Sequence, residues 1–93
     1  MLMQGKRGLI MGVANDRSIA WGIAKCLAEN GASIALTYQG EALKKRVEPL
    51  AKSVNSEILI PCDVTDSQSM INVFEILKEK WGEIDFLVHG IGF

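Results

Sequence analysis

Leu9-Ile10-Met11-Gly12-Val13-Ala14-Asn15-Asp16-Arg17-Ser18-Ile19-Ala20-Trp21-Gly22-Ile23-Ala24 is the stretch that decides the fold. It opens on an apolar run too short for a helix, turns at a glycine and crosses a polar segment. It then takes up helical spacing: Ile19, Ile23 and Leu27 share a stripe with Ala20, Ala24 and Ala28, while Lys25 and Glu29 face out. That is a strand, a loop and a helix, the first half of a βαβ unit.

The same alternation runs through the rest of the chain. Further apolar runs lie at Ser33 to Thr37, Glu57 to Ile60 and Phe86-Leu87-Val88. All are nearly continuous in apolar residues, as expected of strands covered on both faces in a parallel sheet. Between them, Leu43, Val47, Leu50 and Val54 line a second helix opposite Lys45, Glu48 and Lys52, and Met70, Phe74, Leu77 and Trp81 line a third. Gly31 and Gly82 are placed to end helices, and Thr65 and Gln68 have capping-box spacing. Pro49 removes an amide donor inside the second helix, which predicts a kink or a helix that stops and restarts. The order βαβαβαβ, with right-handed crossovers, predicts a Rossmann-like doubly wound α/β half, strand order 3-2-1-4, over residues 1–93. The reversal between strands 1 and 4 opens the crevice in which such sheets bind ligands.

The loop from Gly12 to Gly22 leads into that crevice. A dinucleotide site there needs a tight turn, a backbone that phosphate can approach, and close helix–sheet packing. Gly12 supplies the turn, Ala14 and Ser18 are small, and Ser18 adds a hydroxyl where helix amides point outward. Ala20 and Gly22 leave room for packing. The loop does not match G-x-G-x-x-G, and Ser18 as a simple helix cap remains the alternative.

Composition narrows the partners. With 48% hydrophobic and 23% charged residues the chain has enough apolar matter for a core. A net charge of −1 gives no reason to expect nucleic acid or an anionic membrane. No apolar run approaches the ~18–20 residues of a membrane span, and residues 1–6 lack the layout of a secretory signal. Cys26 and Cys62 are too few for a zinc set and read as buried thiols in a reducing cytoplasm. Lys44-Lys45-Arg46 reads as a solvated helix face.

Gly12-Val13-Ala14, Ser18 through Ala24, Thr37-Tyr38-Gln39, Cys62-Asp63-Val64 and His89-Gly90-Ile91-Gly92-Phe93 together resemble bacterial enoyl-acyl carrier protein reductases, a divergent branch of the short-chain dehydrogenases/reductases. The likeness runs the length of the chain, in order and with matching spacing. It implies NADH-dependent reduction of a trans-2-enoyl thioester on acyl carrier protein in fatty-acid elongation, by a cytoplasmic homotetramer. It also implies roles. Gly12 contacts the cofactor, Ser18 and Ile19 hold the pyrophosphate, and Gln39 lies near the adenosine ribose. Asp63 and Val64 recognise adenine through carboxylate and amide, and Ile91 sits beside the nicotinamide-side ribose. Gly90 departs from the serine or alanine common in the family.

The residues themselves leave some of this open. No acid follows the second strand directly, only Gln39, Gly40 and Glu41, so NADH rests on the resemblance and Lys44 to Arg46 keep NADPH in play. Asp63 reads equally as a turn residue, and His89 as a structural hydrogen-bonder. The family's catalytic tyrosine and lysine are expected beyond residue 93, since Tyr38, the sole tyrosine, falls in the cofactor half. The chain is therefore expected to be a fragment that binds cofactor without turnover. A different short-chain reductase acting on a ketone or sugar, or a non-catalytic nucleotide-binding Rossmann module, are the alternatives.

Overall fold

The computed structural model describes residues 2–14 and 17–90. Strands β1 (Arg7–Met11), β2 (Ser33–Tyr38), β3 (Ile58–Pro61) and β4 (Phe86–His89) alternate with helices α1 (Ile19–Glu29), α2 (Glu41–Ser53) and α3 (Ser67–Trp81). The strands are parallel and ordered β3-β2-β1-β4. The expected architecture and strand order are therefore present.

Alternation along the strands divides the interior into two cores. Ile10, Ile34, Leu36 and Tyr38 point to one face, where Ala20, Trp21 and Ala24 of α1 and Val47 and Ala51 of α2 cover them. Leu9, Met11, Ala35, Ile58 and Ile60 point to the other, under Val73 and Leu77 of α3. Leu9, Ile10 and Met11 are all fully buried because helices pack on both sides of β1. Burial of each such side chain contributes roughly 1.5–3 kcal/mol.

Several local expectations change. Ile19 is 83% exposed and Ile23 is also exposed, while α1 meets the sheet through Ala20, Trp21 and Ala24. An i, i+4 row drifts about 40° around a helix per step, so of Ile19, Ile23 and Leu27 only the last packs on the core. The same drift puts Phe74 outside and Val73 inside on α3. Cys26 falls on the outer side of α1 and is exposed, whereas Cys62 is buried with Sγ 3.5 Å from Met70 Sδ. Gly22 faces open space, so it serves no close packing. Helix α2 runs unbroken through Pro49 rather than stopping and restarting. Pro49 and Lys45 are both exposed, so the carbonyl that loses its amide partner is on the solvent side.

Helix α3 is capped by Asp66, not Thr65: the Asp66 carboxylate accepts from Gln68 N–H at 3.0 Å. Thr65 lies one residue before the cap position, and its hydroxyl donates to Asp63 Oδ1 at 2.6 Å. Gly31 and Gly82 do end their helices, with φ of +98° and +84°. At the opposite edge of the sheet, Arg7 N–H donates to Asp85 Oδ2 and its guanidinium to the Trp81 carbonyl, tying β1 to the α3–β4 turn. Strand β4 is an edge strand, and its Leu87 is 46% exposed. None of the described helices is long and apolar enough to cross a membrane.

Candidate functional site

The carboxyl ends of the four strands converge on one edge, and two cavities lie there. The inner, of 240 Å³, is lined by Gly12, Ala14, Thr37, Tyr38, Gln39 and Gly90 among others, and so draws on β1, β2 and β4. The outer, of 390 Å³, is lined by Gln39, Gly40, Cys62, Asp63, Asp66 and Ser69 among others. Gln39 and Cys62 border both, so the two spaces adjoin along the ends of β2 and β3. This is the crevice at the switch between β1 and β4, where doubly wound sheets hold ligands.

Each expected residue among the described ones has a definite place. Gly12 ends β1 with φ +98°, a conformation that a side chain would strain, and forms part of the inner wall. Ser18 occupies the N-cap position of α1, but its side chain makes no capping bond to the helix amides. Its hydroxyl oxygen instead accepts from Ala14 N–H at 3.0 Å, pinning the loop back toward the helix start. The first turn of α1 carries no acid. A helix start with no acid of its own in that turn favours negative charge nearby. Ile19, the first residue of the helix, projects from the same turn.

Tyr38 is buried and Gln39 exposed just beyond β2. Asp63 follows β3: its Oδ1 accepts from both the backbone and the hydroxyl of Thr65, at 2.9 and 2.6 Å. Those two bonds, the hydroxyl's first, hold its carboxyl below the ordinary value of 3.8. Asp63 is therefore an ionised turn residue, as one of its two readings expected. Its own N–H donates to Ser69 Oγ at 2.9 Å, anchoring the turn to α3. Val64 packs partly on the α3-side core. Ile91 lies outside the described residues. His89 is exposed at the end of β4 and makes no side-chain hydrogen bond to the described residues, so the structural bond expected of it is not seen. Sequence reasoning passed over Leu43, which closes the inner cavity from the first turn of α2; its helical period marked it only as core.

Gly90 explains how closely the parts approach. Its N–H donates to the Met11 carbonyl at 2.9 Å. A Cβ there would come within 2.7 Å of Ala20 Cβ, so the end of β4 rests against the first turn of α1.

Four parallel strands in the order 3-2-1-4, with helices between and cavities at their carboxyl ends, define a Rossmann-like half. The family model described as Enoyl-(Acyl carrier protein) reductase matches residues 12–93. This chain belongs to that family. It is 66% identical over 92 residues to an NADH enoyl-[acyl-carrier-protein] reductase of Rhizobium meliloti, covering 99% of this chain and 34% of that protein. It is 50% identical over 92 residues to one from Rickettsia typhi, covering 99% and 35%. A solved structure of the reductase from Anaplasma phagocytophilum, in complex with NAD, superposes with a TM-score of 0.92 at 56% identity. That superposition covers 96% of this chain and 34% of the other. The chain thus spans about a third of the length of the relatives it matches.

Proposed function

We propose that residues 1–93 are the first part of a single dinucleotide-binding domain in an NADH-dependent enoyl-acyl carrier protein reductase. The observation that carries this reading is the paired cavity at the strand-order reversal, whose inner part is walled by Gly12, Val13 and Ala14 of the loop that leads to α1. The relatives named for NADH and the NAD complex of a close structural neighbour support the choice of cofactor.

The residues present fit such a cofactor. Gly12 and Ala14 offer backbone without bulk, and the α1 amides and Ser18 receive the pyrophosphate beside Ile19. Gln39 meets the adenosine ribose, and Asp63 Oδ2 accepts from the adenine amine while Val64 N–H donates to the ring. Ile91 is assigned to the nicotinamide-side ribose. When bound, NADH supplies the hydride that reduces the double bond of the enoyl thioester.

The catalytic tyrosine and lysine are assigned to the part of the protein outside these residues. Tyr38, the sole tyrosine, is only 6% exposed and its strand faces the α1–α2 core. The chain alone is accordingly expected to bind nucleotide without turnover. A cytoplasmic homotetramer acting on acyl carrier protein-bound substrate rests on the family resemblance. Titration of NADH against the wild-type chain and Ser18→Trp tests the site: the variant should lose binding while keeping its circular dichroism. Equal binding by both would remove the pyrophosphate assignment, and oxidation of NADH by the 93 residues with an enoyl thioester would remove the predicted inactivity.

A further inference from the structure

Aromatic residues aside, Thr37 is the only buried residue among the described ones whose side chain carries an oxygen or nitrogen. It is 2% exposed, one residue from the end of β2. Its neighbours on that face of the sheet are apolar: Ala35, two residues earlier, and Ile60, its partner on β3, both belong to the α3-side core. Tyr38, next to it, packs its ring in the opposite core. The Thr37 hydroxyl makes no hydrogen bond to the described residues, yet none of their fully buried side-chain oxygens lacks a partner. The small accessible part of Thr37 therefore includes the hydroxyl, and the space that Thr37 borders is the inner cavity. A valine would fill the same volume and suit a strand as well. Packing alone thus gives no reason for an unbonded hydroxyl, which costs stability when most of its water is removed.

We infer that the Thr37 hydroxyl is a binding group kept for the ligand, and that it hydrogen-bonds a ribose hydroxyl in the adenosine half of the nucleotide. The inference rests on the nucleotide reading above and adds a contact which that reading does not contain. No charged side chain lines the inner cavity, so its occupant is an uncharged part of the dinucleotide and not the pyrophosphate. Adenine is assigned to Asp63 and Val64, and Asp63 lines the outer cavity. The neutral part that remains is the sugar, whose hydroxyls donate and accept as the threonine hydroxyl does. Gln39, two residues further along the chain, borders the same cavity and is assigned to the same sugar.

Isothermal titration of the chain with ADP, 2′-deoxy-ADP and 3′-deoxy-ADP tests this. Thr37→Val removes the hydroxyl and keeps the shape, whereas Thr37→Ser keeps the hydroxyl. In the wild type one of the deoxy analogues should bind roughly three- to tenfold more weakly than ADP, the worth of one net hydrogen bond. In Thr37→Val, ADP should weaken by that same factor and the analogue should bind no worse than ADP. Thr37→Ser should retain the wild-type preference. Without ligand, Thr37→Val should melt no lower than the wild type, because the hydroxyl holds nothing in the fold. If Thr37→Val unfolds or melts well below the wild type, the hydroxyl serves the fold and the inference falls. It falls equally if Thr37→Val folds and keeps the wild-type ratios between ADP and both analogues, and the nucleotide site then still stands. Failure of the wild type to bind ADP at all overturns both.

Discussion

The β1–α1 and β3–α3 connections leave the sheet at the same edge yet finish their helices in opposite ways. At α3, Asp66 caps the helix and Thr65 and Ser69 tie Asp63 into the turn, so the connection satisfies itself. At α1, Ser18 stands in the cap position, makes no cap, and bonds backward to Ala14. A loop selected only for stability would use a cap worth about 1 kcal/mol there. The contrast sets the α1 start, whose cap residue makes no side-chain cap bond, apart from the α3 start, which closes on itself, and it is the α1 start that the proposed function assigns to a ligand.

The most forceful way to break the contrast is to give α1 the acid that α3 has. Ser18→Asp would cap the helix and complement its dipole, so thermal stability should hold or rise. The same carboxylate would face the pyrophosphate, and NADH affinity should fall at least thirtyfold in a titration. Higher melting temperature with unimpaired NADH binding would mean that α1 is simply an uncapped helix.

The reverse substitution is milder. Asp66→Ala should cost about 1 kcal/mol through the lost cap. In a domain of this size that is a fall of roughly 4–8 °C in melting temperature. Affinity for NADH should stay within twofold. A large loss of NADH binding would instead make the α3 start part of the nucleotide grip.

How far the sequence shows this contrast depends on the kind of signal. The strands were legible because Leu9-Ile10-Met11 and its counterparts are apolar without interruption, and only a doubly covered sheet accommodates that. The 3-2-1-4 order followed from handedness. Which side of α1 faces the sheet was not legible, because Ile19 and Ile23 outweigh Ala20 and Ala24 in any hydrophobic pattern. What decides it is close approach: the end of β4 at Gly90 leaves space only for a small residue at Ala20. The isoleucine left outside at the start of α1, Ile19, is then an exposed apolar residue in the helix's first turn. The cap at Asp66 was missed because Thr65 fitted the spacing, yet Thr65 lies one residue before the cap position and its hydroxyl goes to Asp63. Pattern gives the period of an element, whereas competition for a donor or a few ångströms of room needs coordinates.

The smallest effect concerns Asp63 and separates its two roles. Thr65 lowers its carboxyl in the folded chain relative to the unfolded one. A group depressed in this way contributes stability that is present above its unfolded value and is lost as pH falls through the folded one. Thermal melts of the wild type should therefore show part of their acid loss below the ordinary carboxyl value of 3.8. Thr65→Val removes the hydroxyl bond, so the variant should melt slightly lower at pH 6 and by a smaller margin, or none, at pH 3. On the proposed assignment of Oδ2 to the ligand, with Oδ1 serving the turn, adenine binding at neutral pH should change less than twofold. A loss of ADP affinity in Thr65→Val as large as in Asp63→Asn would show that the turn and the ligand draw on the same oxygen.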